Sequence, residues 1–181
     1  MTTILNEKTD RTVKNIHLMV TPLCDRKCPN CCNNLYTLNE IPYATEDELK
    51  QCERLFLTGG EPFRYAAVDD LAEYYKKRYP NIKQVIVYGN AYDCERYIMK
   101  GGTFHYIDGL SLSIKSKKDK ECMESMARDY EFEGLKHNRL YVFDNLMPTG
   151  VELPSFSIYN RAWQSLDEYK PADDSIFRKM C

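Results

Sequence analysis

Thr21-Pro22-Leu23-Cys24-Asp25-Arg26-Lys27-Cys28-Pro29-Asn30-Cys31-Cys32-Asn33 is the stretch from which both the chemistry and the fold are read. It sets Cys24, Cys28 and Cys31 in a Cys-x3-Cys-x2-Cys array, directly after the apolar run Ile16-His17-Leu18-Met19-Val20. Thiolates prefer soft metal centres, namely zinc, copper(I) or iron–sulfur clusters. A cubane 4Fe–4S cluster usually takes four thiolates. Three thiolates on one loop therefore leave one iron open to another ligand. The rival reading is a structural zinc site in which the adjacent Cys32 supplies the fourth thiolate. Structural zinc commonly uses paired hooks, whereas Cys52, Cys94, Cys122 and Cys181 stand alone at long separations. Cys32 and these four are read as thiols that are not ligands, the isolated ones as core residues.

Outward from the loop, the chain alternates between two periods. Lys14 to Pro22 is strand-like and ends at a proline. Thr45-Glu46-Asp47-Glu48 has the form of a capping box opening a short helix. Arg54 to Thr58 is a second strand closed by Gly59-Gly60, and Ala66 to Tyr79 is helical, with Val68, Leu71, Ala72 and Tyr75 on one face. Ile82 to Tyr88 is the clearest strand, and Tyr92 to Met99 a helix stopped by Gly101-Gly102. Gly109 to Ile114 follows as a strand, Lys117 to Phe132 as a polar helix, and Leu140 to Phe143 as a fifth strand. Phe156 to Tyr159 is a sixth strand at an edge. Alternation of this kind implies parallel strands with helical crossovers. Residues 1–14 read as an arm, 15–160 as the core domain, and 161–181 as a segment packed on the core or extending it.

In parallel α/β architectures, ligands sit beyond the carboxyl ends of the strands. Four polar clusters fall there in chain order. They are the cysteine loop, Gly59-Gly60-Glu61-Pro62, Gly89-Asn90, and Ser113 with Lys115. Each also suits ordinary turn chemistry. Glycine at 59 and 60 allows close backbone approach to a ligand.

The cysteine loop after a first strand, with Gly59-Gly60-Glu61-Pro62 after a second, resembles the radical S-adenosylmethionine (SAM) enzymes. The resemblance implies a partial, open (β/α)6 barrel, short of the eight strands of a closed one. It implies that Cys24, Cys28 and Cys31 hold a 4Fe–4S cluster whose open iron chelates the methionine of SAM. Reductive cleavage of SAM would then give a 5′-deoxyadenosyl radical that takes hydrogen from a substrate. It further implies that Gly59, Gly60, Glu61, Pro62, Asn90 and Ser113 serve the SAM site, with Ser113 placed for ribose or carboxylate. A one-electron donor, flavodoxin or ferredoxin, is implied as a partner, and the substrate is a protein with a glycyl radical site, another peptide or RNA, or a small molecule. The chain departs from the family at Asn30, where an aromatic residue is common. It departs again at Tyr88-Gly89-Asn90 in place of Thr-Asn-Gly, and at Lys115 in place of an acid. The competing class is a non-catalytic module that holds zinc or a cluster for structure or sensing.

Composition narrows the field. At 181 residues and a net charge of −2, one core-forming domain is expected, without the basic field of a nucleic-acid or membrane-surface binder. No apolar run approaches the ~20 residues of a membrane span. The start, Met1 to Glu7, lacks a basic and then apolar signal peptide. The eight cysteines are accordingly expected in a reducing cytoplasm, where metal binding outweighs disulfide formation. His17 is expected inside the sheet, and His105 and His137 in solvated turns. Trp163 is read as an anchor for the C-terminal segment.

Overall fold

The computed structural model describes residues 14–132, 134–163 and 174–180. Apart from Lys14, the N-terminal arm lies outside the described residues, as do Cys181 and the side chain of Cys32. The strands are β1 (Asn15–Thr21), β2 (Arg54–Gly59), β3 (Gln84–Asn90), β4 (Gly109–Ile114), β5 (Asn138–Phe143), β6 (Phe156–Arg161) and β7 (Ser175–Lys179). They form one seven-stranded sheet in the order β6-β5-β4-β3-β2-β1-β7. Every neighbouring pair is parallel. With β6 and β7 at opposite edges the sheet is open.

The expected six strands run across the sheet in chain order, and the count is corrected to seven by β7, which pairs outside β1. Ser175-Ile176-Phe177-Arg178-Lys179 has little apolar content, and all five residues are half-buried. Its position is fixed from a distance. The Arg178 guanidinium donates to Glu48 at 2.6 and 2.9 Å, and Glu48 also closes the capping box with Thr45.

Helices α1 (Glu46–Gln51), α2 (Pro62–Tyr65), α3 (Val68–Arg78), α4 (Ala91–Met99) and α5 (Lys117–Asp129) occupy the crossovers from β1 to β5. No described helix separates β5 from β6; that connection turns through Asp144 and Asn145, both at positive φ.

Strand alternation sorts the sheet into two faces. Ile16 and Leu18, Leu55 and Leu57, Val85 and Val87, and Leu110, Leu112 and Ile114 share one core with Val68, Ala72, Cys94, Met123 and Met126 of the helices. Each large apolar side chain buried there contributes about 1.5–3 kcal/mol. Cys52, Cys94 and Cys122 are buried, as expected of core thiols. The opposite face carries His17, Phe56 and Tyr88, packed as an aromatic cluster. Burial holds the His17 imidazole down to about 4, with Asp174 opposing that shift and Arg139 reinforcing it. His105 and His137 are exposed. Among the described residues no helix is long and apolar enough to cross a membrane.

Candidate functional site

The cysteine loop leaves β1 through a register shift between Met19 and Thr21, which brings Thr21 opposite Gly59. Two backbone hydrogen bonds then tie this loop to the turn after β2. The Gly60 amide donates to the Thr21 carbonyl at 2.7 Å, and the Glu61 amide to the Leu23 carbonyl at 2.8 Å. The Asn33 side chain donates to the Gly59 carbonyl at 2.9 Å. Gly59 sits at φ +128°, a conformation open to glycine. A Cβ on Gly60 would lie 1.9 Å from the Leu23 carbonyl oxygen. The room left by both glycines is thus filled by the cysteine loop itself.

Two neighbouring side chains inside the loop pin it down. Asp25 pairs with Arg64 and the Tyr65 hydroxyl, both on α2. Arg26 reaches the other way and makes a bidentate pair with Asp119 on α5, at 2.7 and 2.5 Å. It also donates to Asn90 Oδ1 at 2.9 Å. Asp119 is fully buried. Burial pushes its carboxyl up, but the hydrogen bond and charge of Arg26 outweigh that, and the net effect is a value below the ordinary carboxylate range. The amides of Lys115 and Tyr92 and the hydroxyl of Ser116 also donate to the Asp119 carboxylate.

Asn90 is the hub between these elements. It caps α4 by accepting from the Asp93 amide at 2.9 Å, and its Nδ2 donates to Asp93 Oδ2 at 2.8 Å and to Glu61 Oε2. At 2% exposure its side-chain polar atoms are all committed to protein partners. Glu61 is 4% exposed and its Oε1 has no hydrogen-bond partner. Burial first, and the charge of Asp93 second, push its carboxyl up to about 8, against the lowering effect of the Asn90 hydrogen bonds. Glu61 therefore keeps a proton at neutral pH. Pro62 is buried at the start of α2, and Ser113 Oγ donates to the Gly89 carbonyl at 3.2 Å.

The structure brings the four sequence-predicted clusters to the carboxyl edge of the sheet. It also adds Asp25, Arg26, Asp93 and Asp119, which sequence reasoning passed over. Charged residues between metal-spaced cysteines, and an aspartate three residues after Ser116, whose hydroxyl caps α5 by accepting from the Asp119 amide, were the available signals. Cys24 is exposed, Cys28 and Cys31 half-buried. Partial loss of hydration raises the Cys24 thiol; the Arg26 amide, 3.4 Å from its sulfur, lowers it, and nearby Glu61, Cys28 and Cys31 raise it again. Among the described residues, no three His, Cys, Asp or Glu side chains converge to ligate a metal ion. The donor set nonetheless fits a soft centre, since three thiols on one pinned loop lie within electrostatic reach of one another. No family model, curated protein or solved structure matches the chain.

Proposed function

We propose that this chain is a radical SAM enzyme of partial-barrel type. The observation that carries the reading is the junction of the cysteine loop with Gly59-Gly60-Glu61-Pro62 at the carboxyl edge of a parallel sheet. Cys24, Cys28 and Cys31 would hold a 4Fe–4S cluster, and the turn from Gly59 to Pro62, with Ser113, would border SAM. When bound, the cluster supplies an electron that splits SAM into methionine and a 5′-deoxyadenosyl radical able to take hydrogen from substrate.

The residues of the chain itself do the positioning. Asp25 and Arg26 anchor the loop on both flanks, so the thiols are presented from a fixed backbone. Glu61 holds its proton at neutral pH, so this buried carboxyl adds no negative charge beside the cysteine loop. An external flavodoxin or ferredoxin would deliver the electron. Anaerobic reconstitution with iron and sulfide, reduction and addition of SAM test the reading. The expected product is 5′-deoxyadenosine, absent in a Cys28→Ala control. Methylthioadenosine would mean that another SAM bond is cut. Zinc bound without sulfide would replace the enzyme with a structural metal module.

A further inference from the structure

The face of the sheet away from the helices changes character across β4, β5 and β6. Register places its side chains in rows. Tyr88, Ser111, Arg139 and Ser157 form the lowest row, and Asn90, Ser113, Tyr141 and Tyr159 the next. Phe143 and Arg161 stand above, joined by Lys115 and Trp163. Tyr141 and Tyr159 stack at 5.4 Å between ring centres, and Phe143 packs on Trp163 at 4.6 Å. Arg161 lies over both tyrosines, and Lys115 over Phe143 and Trp163.

Three cations thus share this face with Tyr141, Tyr159, Phe143 and Trp163. None of Lys115, Arg139 and Arg161 pairs with a carboxylate among the described residues. No Asp or Glu occupies a strand position on this face of β3 to β6; Asp144, just after β5, accepts from the Trp163 indole N–H at 3.1 Å rather than pairing with a cation of this face. Cations left over rings rather than over carboxylates are available to a negatively charged ligand, and the rings offer it a stacking surface. At the base of the rows, Ser111 is 2% exposed and its hydroxyl has no hydrogen-bond partner. Arg139 stands beside it in register. Access is open at the β6 side, where Tyr159 is 41% exposed.

We propose that this face binds a small planar molecule carrying a carboxylate or phosphate. Its ring would lie against Tyr141, Tyr159 and Trp163, and its anionic group would be held by Arg161 and Lys115, with Arg139 and Ser111 below. That this molecule is the substrate rests on the radical SAM reading. The geometry suits that role, because Asn90, which touches Arg26 of the cysteine loop, is two strands from Tyr141, a separation of about 10 Å at the usual strand spacing.

Trp163 is the sole tryptophan of the chain, so its emission reports on this face directly. The test is fluorescence titration of the full-length, cluster-free protein with phenyl phosphate and with benzoate. Phenol and benzamide serve as uncharged rings, and inorganic phosphate as an anion without a ring. The two aromatic anions distinguish a phosphate from a carboxylate ligand. At least one of them is expected to change the emission saturably, and to bind about tenfold more tightly than its uncharged ring or inorganic phosphate. Arg161→Gln and Lys115→Gln should each weaken that binding by about tenfold, with Arg161→Lys recovering part of the loss. Circular dichroism of each variant confirms that the sheet is intact. An absent saturable change with both anions, equal binding of the uncharged rings, or unchanged affinity in both folded glutamine variants overturns the proposal. Because no cluster is needed, the two readings fail separately. Binding without SAM cleavage would leave the anion site standing and remove the enzyme, whereas cleavage without binding would remove only the site.

Discussion

Replacing Gly60 by alanine tests whether the glycine turn and the cysteine loop form one unit. The new Cβ would sit 1.9 Å from the Leu23 carbonyl oxygen and 2.4 Å from its carbon. Both are backbone atoms, which no rotamer change can move aside. The loop must lift off the turn, and the bonds from the Gly60 amide to Thr21 and from the Glu61 amide to Leu23 are strained or lost. Two such bonds contribute about 1–3 kcal/mol together, and the overlap adds to that, so a loss of about 2–4 kcal/mol is expected. Urea unfolding of the cluster-free protein, followed by far-ultraviolet circular dichroism, measures it. Gly134→Ala is the control, since a Cβ there meets nothing within 4 Å, and it should change stability by less than about 0.5 kcal/mol. If Gly60→Ala is as stable as Gly134→Ala, the turn is not a seat for the loop.

Three further changes follow from the charges. Glu61 is protonated in the folded chain up to about pH 8 and ionises near 4.5 when unfolded, so stability should fall as pH rises through that window. Glu61→Gln should remove the slope and gain up to about 4 kcal/mol at pH 8, as read by denaturation across pH. His17 has the opposite sign: the unfolded chain takes up a proton near 6.5 and the folded one only near 4, so stability is lost as pH falls between these values. His17→Phe should abolish that loss, which is at most about 3 kcal/mol, in melts between pH 7 and 4. Arg26→Gln strands the carboxylate of buried Asp119 and should cost about 2–3 kcal/mol in urea unfolding, with Arg26→Lys a poor rescue because the pair is bidentate.

Most of the sheet was legible because its signals are local. Gly109-Leu110-Ser111-Leu112-Ser113-Ile114 alternates cleanly between a helix-covered face and an open one, and it forms the strand as read. Thr45 and Glu48 spell out their own cap. β7 was missed because its residues carry little apolar pattern; β1 pairing and the reach of Arg178 to Glu48 define it, across 130 positions. The site divides in the same way. Cysteine spacing and the Gly-Gly-Glu-Pro turn are visible along the chain. By contrast, the burial of Glu61 and the grip of Arg26 on Asp119, 93 positions away, arise only when α5 and the cysteine loop meet. Asn90 is visible along the chain as a polar residue at a strand end, whereas its joining of Glu61, Asp93 and Arg26 emerges only in the fold.

In the proposed enzyme, Cys24, Cys28 and Cys31 would hold a cluster with one iron left for SAM. Electron paramagnetic resonance of the reconstituted, reduced protein, recorded with and without SAM, tests it most directly. The expected result is a reduced 4Fe–4S signal, with about four iron and four sulfide per chain, whose g-values move when SAM is added. The same signal should survive Cys32→Ala and vanish in Cys24→Ala, Cys28→Ala and Cys31→Ala. A cluster signal indifferent to SAM, or one that requires Cys32 as much as the other three, would contradict the claim.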